Sequence, residues 1–501
     1  MVDVLLTHSY HLYYDRKQAR KMQPYPPLGT LYAAALLRQR GYSVALFDPM
    51  LEDPVSGFPQ ALRRARPRVV ALCEDNFNFL SKMCLSRMRE VAMQMIGLSR
   101  ASGAQVVVNG SDSTDHLVQY LQGGANFILV GEVERTLLEL VDSLVGRSGQ
   151  LPIEIPGLAF IKQQSGRLYK TPPRPLIQDL DELPFPARDL VDLERYRDEW
   201  KSAHHTFSLN LVASRGCPYR CNWCAKPIYG DRFHSRSAAN VAREMALLKT
   251  EYGAEHLWFA DDIFGIKNSW VLEFAEQVER LGAAVPFKMQ TRADLMKEDV
   301  ALAFRRAGCN EAWLGVESGS QKILDAMDKG LRVDQVVKAR GHLRHAGIRT
   351  CFFLQFGYSG ETWPDIQKTI ELVRHTRPED IGVSVSYPLP GTAFHARVRE
   401  QLGSKTNWID SEDLAMMFKG AYTTEFYRAL RNAIHAEVET WSPPSAGSVN
   451  FSEVRGHEPG DGKAQTLAQL WAKVEAMEKT SRNEAPTLLP VLTCAPEAAT
   501  C

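Results

Sequence analysis

Short, continuously apolar runs alternate with amphipathic stretches twice along this chain, and that alternation restricts the fold more than any other feature. Over residues 1–148 the runs are VDVLL (2–6), SVALF (43–47), RVVAL (68–72), AQVVVN (104–109) and NFILVG (126–131). Between them lie segments of helical periodicity, LGTLYAAALLRQRG, CLSRMREVAMQMIGLSRASG, TDHLVQYLQGG and ERTLLELVDSLVG, several closed by Gly where a left-handed cap would sit. Uniformly apolar strands joined by helices predict an α/β layer, a doubly wound, Rossmann-like parallel sheet covered on both faces. Such a sheet takes its ligands outside the carboxyl ends of its strands. The loops there are Thr7–Tyr10, Glu74–Asn78, Asn109–Thr114 and Gly131–Val133.

From Leu209 a second alternation begins, with strands LNLVAS, HLWFA, FKMQT, AWLGV, IRTCFFLQF and IGVSVSY separated by helices such as SAANVAREMALLKTEYG and DIQKTIELVRHTR. Unbroken strand–helix repetition predicts a six-stranded partial (β/α) barrel over residues 206–400, with chemistry at the C-terminal strand ends. Residues 149–205, proline-rich between Pro172 and Pro186, read as a connector. Residues 401–440 read as a helical C-terminal region containing WIDSEDLAMMF and YRALRNAIHAEVETW. Residues 441–501 read as a flexible linker, the short helix TLAQLWAKVEAMEK and a tail.

Composition narrows the function. The 59 basic and 59 acidic residues balance, so no net field directs the chain to nucleic acid or a membrane surface. No apolar run approaches the roughly 20 residues needed to cross a bilayer, so membrane insertion is not expected. MVDVLLTHSYH lacks the pattern of a signal peptide. Nine cysteines in 501 residues, three of them clustered, suit a reducing cytoplasm rather than a disulfide framework.

The cluster is RGCPYRCNWC, in which Cys217, Cys221 and Cys224 follow the first barrel strand. Thiolates suit zinc or iron–sulfur clusters. A structural zinc takes four ligands, and the candidate fourth, His234, stands at a spacing that fits no usual zinc module. Three thiolates on a cubane leave one iron open to a substrate or cofactor. Polar or Gly/Pro groups end the other barrel strands: Asp261 and Asp262, Arg292, Glu317-Ser318-Gly319, the segment Phe356 to Glu361, and Pro388 to Thr392. Any one of these alone would read as a helix cap; together they mark the barrel mouth as a ligand site.

The spacing C-x-x-x-C-x-aromatic-C, with Trp223 in the aromatic place, resembles that of the radical S-adenosylmethionine (SAM) enzymes. GVESGSQKILDAMDKG, GYSGETW and YPLPGT are similar to segments of the subgroup with an N-terminal cobalamin-binding domain. YPPLGTLYAAALLRQRGYSVALFD and FILVGEVERTLLELV resemble that domain, and the similarity spans about residues 24–435. The resemblance implies a 4Fe–4S cluster on Cys217, Cys221 and Cys224, with SAM chelating the open iron. One electron, from a donor such as flavodoxin or ferredoxin, would cleave SAM to a 5′-deoxyadenosyl radical that takes hydrogen from a small-molecule substrate. Trp223 would lie near the adenine and Glu317 would accept from the ribose hydroxyls. Asp261, Asp262, Arg292, Ser318 and Gly319 are further candidate contacts of SAM or substrate.

Cobalamin is implied too, with contacts at Asn109, Gly110 and Ser111, at Gly131 and Glu132, and in the Pro26–Gly29 turn. The D-x-H-x-x-G motif that supplies a cobalt-binding His is absent, since Asp115 and His116 are adjacent and His8 and His11 lack the spacing. Base-off cobalamin packed against a loop is what this leaves. Three functions stay open. One is cobalamin-dependent methylation of an unactivated carbon. Another is a radical reaction without methyl transfer, such as that of an oxygen-independent tetrapyrrole ring cyclase. The third is a non-catalytic metal or corrinoid binding module. Cys73, Cys84, Cys309 and Cys351 read as core thiols, Cys309 at the end of a helix, and Met416-Met417-Phe418 as a helix core stripe.

Overall fold

The structure, a computed structural model, describes residues 1–77, 86–162, 165–403, 414–442 and 466–480. Asn78, Cys84, the Gly/Pro/Ser-rich stretch 443–463, Cys494 and Cys501 lie outside these. Strands β1 (Val4–Thr7), β2 (Val44–Leu46), β3 (Val69–Cys73), β4 (Gln105–Asn109) and β5 (Phe127–Leu129) are parallel, in the order β2-β1-β3-β4-β5. Val4, Leu5, Leu6, Val69, Val70, Ala71 and Leu72 are all buried, because helices cover both faces. The expectation of a five-stranded sheet is corrected in one respect. The segment read as connector supplies β6 (Leu158–Ile161) and β7 (Leu168–Lys170), which add antiparallel to β5 and extend the sheet to seven strands. Pairing β5 on its outer side satisfies backbone groups that an edge would leave open.

The second sheet begins at β8 (Ser208–Leu211). A short antiparallel ribbon, β9 (Ser214–Arg215) with β10 (His234–Ser235), brackets the cysteine loop. Then come β11 (His256–Phe259), β12 (Phe287–Thr291), β13 (Cys309–Glu317), β14 (Arg349–Phe356) and β15 (Asp380–Val385). All six long strands are parallel, in the order β8-β11-β12-β13-β14-β15. One face is an apolar core shared with the helices, including Leu209, Leu257, Phe287, Leu314, Phe352 and Ile381. The other carries Ser208, His256, Lys288, Glu311, Trp313 and Phe353, a polar and aromatic lining where a closed barrel would hold layers of branched aliphatics.

Pro24 to Pro27 bind the two sheets together. Trp200 donates its indole N–H to Pro24 O at 2.7 Å, and the Asn210 amide donates to Pro26 O at 2.8 Å. Between them Tyr25 enters the second sheet's inner face, 4.8 Å from the Trp258 ring, with its hydroxyl 3.1 Å from Ser208 Oγ. The β8 side of the partial barrel is thereby closed by the N-terminal segment.

The C-terminal region contains helices Thr424–Trp441 and Leu467–Thr480, packed together. Two local readings are corrected. Residues 414–418 are not helical, so Met416, Met417 and Phe418 form no helix stripe; Met417 and Phe418 are buried all the same, around Tyr358 and Phe394. Cys309 opens β13 rather than closing a helix, and is fully buried. A lone apolar triplet fits an irregular segment as well as a helix, because burial alone carries no period.

Candidate active site

The cysteine loop leaves β9 at Gly216, whose φ of 76° and position 2.2 Å from Arg232 O, measured from where a Cβ would stand, exclude any side chain. Cys217, Cys221 and Cys224 follow as free thiols, all partly buried. Burial raises the Cys217 thiol and pushes Cys224 up to about 12, with Asp262 and the neighbouring thiols adding to both. These thiols ionise only when cations compensate them, as thiolate-bound irons do. Among the described residues no three His, Cys, Asp or Glu side chains converge on a point that would hold a single metal ion. His234 is instead paired with Arg215 in the ribbon. The set fits a cluster, whose irons meet their thiolates at separate corners.

Neighbouring residues fix the loop from three sides. Lys226 donates its ammonium to Cys217 O at 3.1 Å and Tyr219 O at 2.5 Å, and pairs with Asp231. Asn222 donates to Ala326 O and Asp328 Oδ2, both at 2.8 Å, and accepts from the Tyr358 hydroxyl at 2.7 Å. The Arg292 guanidinium lies 3.8 Å from the Tyr219 ring centroid and donates to Asp294 at 2.9 Å. Lys226, Asn222 and Asp328 are site residues that motif reading missed. The lysine two positions beyond Cys224 was the available signal.

The other strand ends divide by what they touch. Asp261 accepts from the Ala213 N–H at 3.0 Å and from the Ser214 hydroxyl, and burial pushes its carboxyl up to about 7. It ties β11 to the start of the cysteine loop. Asp262 beside it is exposed. Glu317 ends β13 at a register shift with φ 63°, a left-handed conformation that glycine would adopt more readily. Its carboxylate meets the Lys329 ammonium at 2.8 Å, and both are buried. Ser318 and Gly319 face the helix Trp363–Thr376 instead: Gly319 N–H donates to Thr369 Oγ1 at 2.9 Å, and a Cβ on Gly319 would stand 2.3 Å from Lys368 O. Trp223 packs against the group containing Ile323, Met327 and Phe394, and its indole N–H is buried without a partner.

The carboxyl edge of the first sheet reaches this loop. Arg215, two residues before Cys217, donates to Glu132 at 2.8 Å and to Glu134 at 2.5 Å, and all three are buried. Glu132 also accepts from the Ile177 N–H at 2.6 Å. Asn109 donates to Leu129 O at 2.9 Å and Gly131 O at 3.0 Å, bracing the ends of β4 and β5. Gly110 lies against Glu74, and Ser111 opens the short helix Ser111–Asp115. Gly131, at φ 91°, has only Ile228 O, at 4.0 Å, near where a side chain would stand, so its backbone is sparsely covered on that side. Bare backbone at a strand's carboxyl end is what a large planar cofactor needs for close approach.

Comparison with known proteins follows the same division. Residues 211–373 match the Radical SAM superfamily. An uncharacterized methyltransferase of Pyrococcus horikoshii is 26% identical over 415 residues, covering 81% of this chain and 86% of its own. The hopanoid C-3 methylase of Methylococcus capsulatus is 25% identical over 384 residues, covering 75% of this chain and 69% of its own. Among solved structures, the radical SAM methyltransferase TsrM of Kitasatospora setae, with cobalamin and a [4Fe-4S] cluster bound, superposes with a TM-score of 0.64. That match has 19% identity and covers 81% of this chain and 76% of TsrM, a likeness of fold. No helix among the described residues is long and apolar enough to cross a membrane. Residues 211–373 therefore constitute a radical SAM domain.

Proposed function

We propose that this enzyme transfers a methyl group to an unactivated carbon of a small molecule, using cobalamin on its first sheet. The observation that carries this reading is the Arg215 bridge. It joins the carboxyl edge of the first sheet, at Glu132 and Glu134, to the residue that starts the cysteine loop. A ligand on that edge and one on the cysteine loop would be neighbours.

When bound, a 4Fe–4S cluster supplies an electron to SAM and cobalamin carries a methyl group, while the protein positions and shields both. Cys217, Cys221 and Cys224 would hold the cluster, with Lys226 and Asn222 keeping the loop closed around it. Glu317 would present its free acceptor capacity to the ribose hydroxyls of SAM. Lys329, donating to one of its oxygens at 2.8 Å, fixes that carboxylate in place. Arg292, held by Asp294 and Gly330 O, offers its remaining N–H groups to an anionic group of SAM or substrate. Asn109, Gly110, Ser111 and Gly131 line the edge that would receive the corrinoid.

The test is anaerobic purification with iron and cobalt quantified, followed by analysis of the products of SAM. Methyl transfer yields S-adenosylhomocysteine together with 5′-deoxyadenosine. Formation of 5′-deoxyadenosine alone, or a preparation that takes up no cobalt, would overturn the methyl-transfer reading. Cys221→Ala is expected to abolish both iron loading and SAM cleavage, and survival of both would overturn the cluster.

A further inference from the structure

The inner face of the barrel sheet is not uniform. On the side of β8, β11 and β12 it is filled by Tyr25, which lies against Trp258 with the Lys288 ammonium 5.4 Å from its ring. On the side of β13, β14 and β15 no ring from the first domain is seen against the sheet among the described residues. There Phe353, in the middle of a strand paired on both edges, is 36% exposed. Interior strands of a parallel sheet are ordinarily covered on both faces, so an exposed aromatic at that position marks a wall left open to a ligand.

Three features shape the wall. Trp313 backs Phe353, their ring centroids 4.7 Å apart and their planes inclined by 29°. The Trp313 indole N–H donates to Glu311 at 2.8 Å, which locks the rear ring. Gly382, the register partner of Phe353 on β15, has a φ outside the left-handed region, so its backbone does not require glycine. A Cβ there would stand 3.0 Å from Phe353 Cδ1 and 3.3 Å from Trp313 Cζ3, so a side chain at this position would press on both rings. Two residues nearer the barrel mouth on the same face, Gln355 is 2% exposed. Its amide donates to Ser386 Oγ at 3.1 Å while its other end, Oε1, has no partner. A buried acceptor left unmade is costly in a folded protein, and here it stands on the face that bears the open ring.

Building on the methyl-transfer reading above, the structure assigns the β13–β15 half of the lumen as the seat of a planar aromatic acceptor, stacked on Phe353 and hydrogen-bonded at its edge to Gln355. Flat aromatic lining with few placed polar groups is the usual make-up of a small-molecule pocket. A non-planar aliphatic ring of the same size could still donate a hydroxyl to Gln355 but would lose the stacking.

Indole and cyclohexanol, titrated into the full-length, cluster-reconstituted chain and followed by saturation-transfer NMR and calorimetry, test the assignment. The wild-type chain is expected to bind indole in preference to cyclohexanol. Gly382→Val, which fills the seat with a residue that strands favour, and Phe353→Leu, which keeps bulk but not flatness, should each weaken indole about five-fold, and Phe353→Tyr should restore it to within about two-fold. Equal binding of the two probes, no binding of indole, or indole affinity unchanged in both Gly382→Val and Phe353→Leu would overturn the aromatic seat. SAM products from the wild-type chain report separately. S-adenosylhomocysteine without indole binding sinks the seat alone, and indole binding without SAM cleavage sinks the function alone.

Discussion

The Tyr358 hydroxyl donates to Asn222 Oδ1 across 2.7 Å, joining the loop after the fifth barrel strand to the middle of the cysteine loop. The same hydroxyl reaches Ala326 O at 2.9 Å, and its ring stacks on Phe394 at 4.8 Å. The cluster loop is thus held by strand ends far from it in sequence. Tyr358→Phe removes the donor and leaves a buried amide oxygen unpaired, which should lower unfolding free energy by about 1–3 kcal/mol. Urea denaturation of the apoprotein measures the loss.

Lys226 neutralises two carbonyl dipoles of the loop from below. Partners of this kind that orient first ligands typically cost about 10–100-fold in metal affinity when removed. Lys226→Met should retain the fold and surrender iron to a chelator at correspondingly lower concentrations. Iron retention equal to wild type would show that the three cysteines close the loop unaided.

Arg215 is one cation serving two buried carboxylates. Arg215→Met strands Glu132 and Glu134 together without compensation and should cost about 3–5 kcal/mol of stability. The triple change with Glu132→Gln and Glu134→Gln should recover much of that, because uncharged amides carry a far smaller desolvation penalty. Denaturant melts of the three proteins, with cobalt uptake measured alongside, separate stability from any effect on the junction.

Glu361 lies buried beneath Gly357, whose N–H donates to it at 2.6 Å, and burial pushes its carboxyl up to about 8. The folded chain therefore keeps a proton, between the ordinary carboxylate range and pH of about 8, that the unfolded chain has released. The unfolded state binds fewer protons there, so stability falls as pH rises through that window. Glu361→Gln should flatten the decline in melting temperature between about pH 5.5 and pH 8.5. An unchanged slope would mean that Glu361 does not hold the proton.

Much of the fold was legible from periodicity. Continuous apolar strands alternating with amphipathic helices admit little but parallel sheets, and the described strands fall where those runs lie. The antiparallel pair β6 and β7 was not legible, because short strands within a proline-rich stretch carry no period of their own and exist through pairing with β5. The helix expected at Met416 to Phe418 failed for the related reason that tertiary burial, not local preference, shapes that segment.

Within the site the division follows distance along the chain. The three cysteines, their spacing and their place after a strand are properties of eight consecutive positions, and the sequence by itself determined them. Which strand-end groups face that loop, and which instead brace the scaffold, only the tertiary structure decided. Asp261 turned toward Ser214, Ser318 and Gly319 toward Thr369, and Glu317 toward Lys329. Tyr25 entered the lumen from another unit, and Phe353 was left uncovered beside Gly382. Hydrogen bonds and ring contacts between residues dozens to hundreds of positions apart depend on how sheets stack and twist, and no local pattern of residue types encodes that.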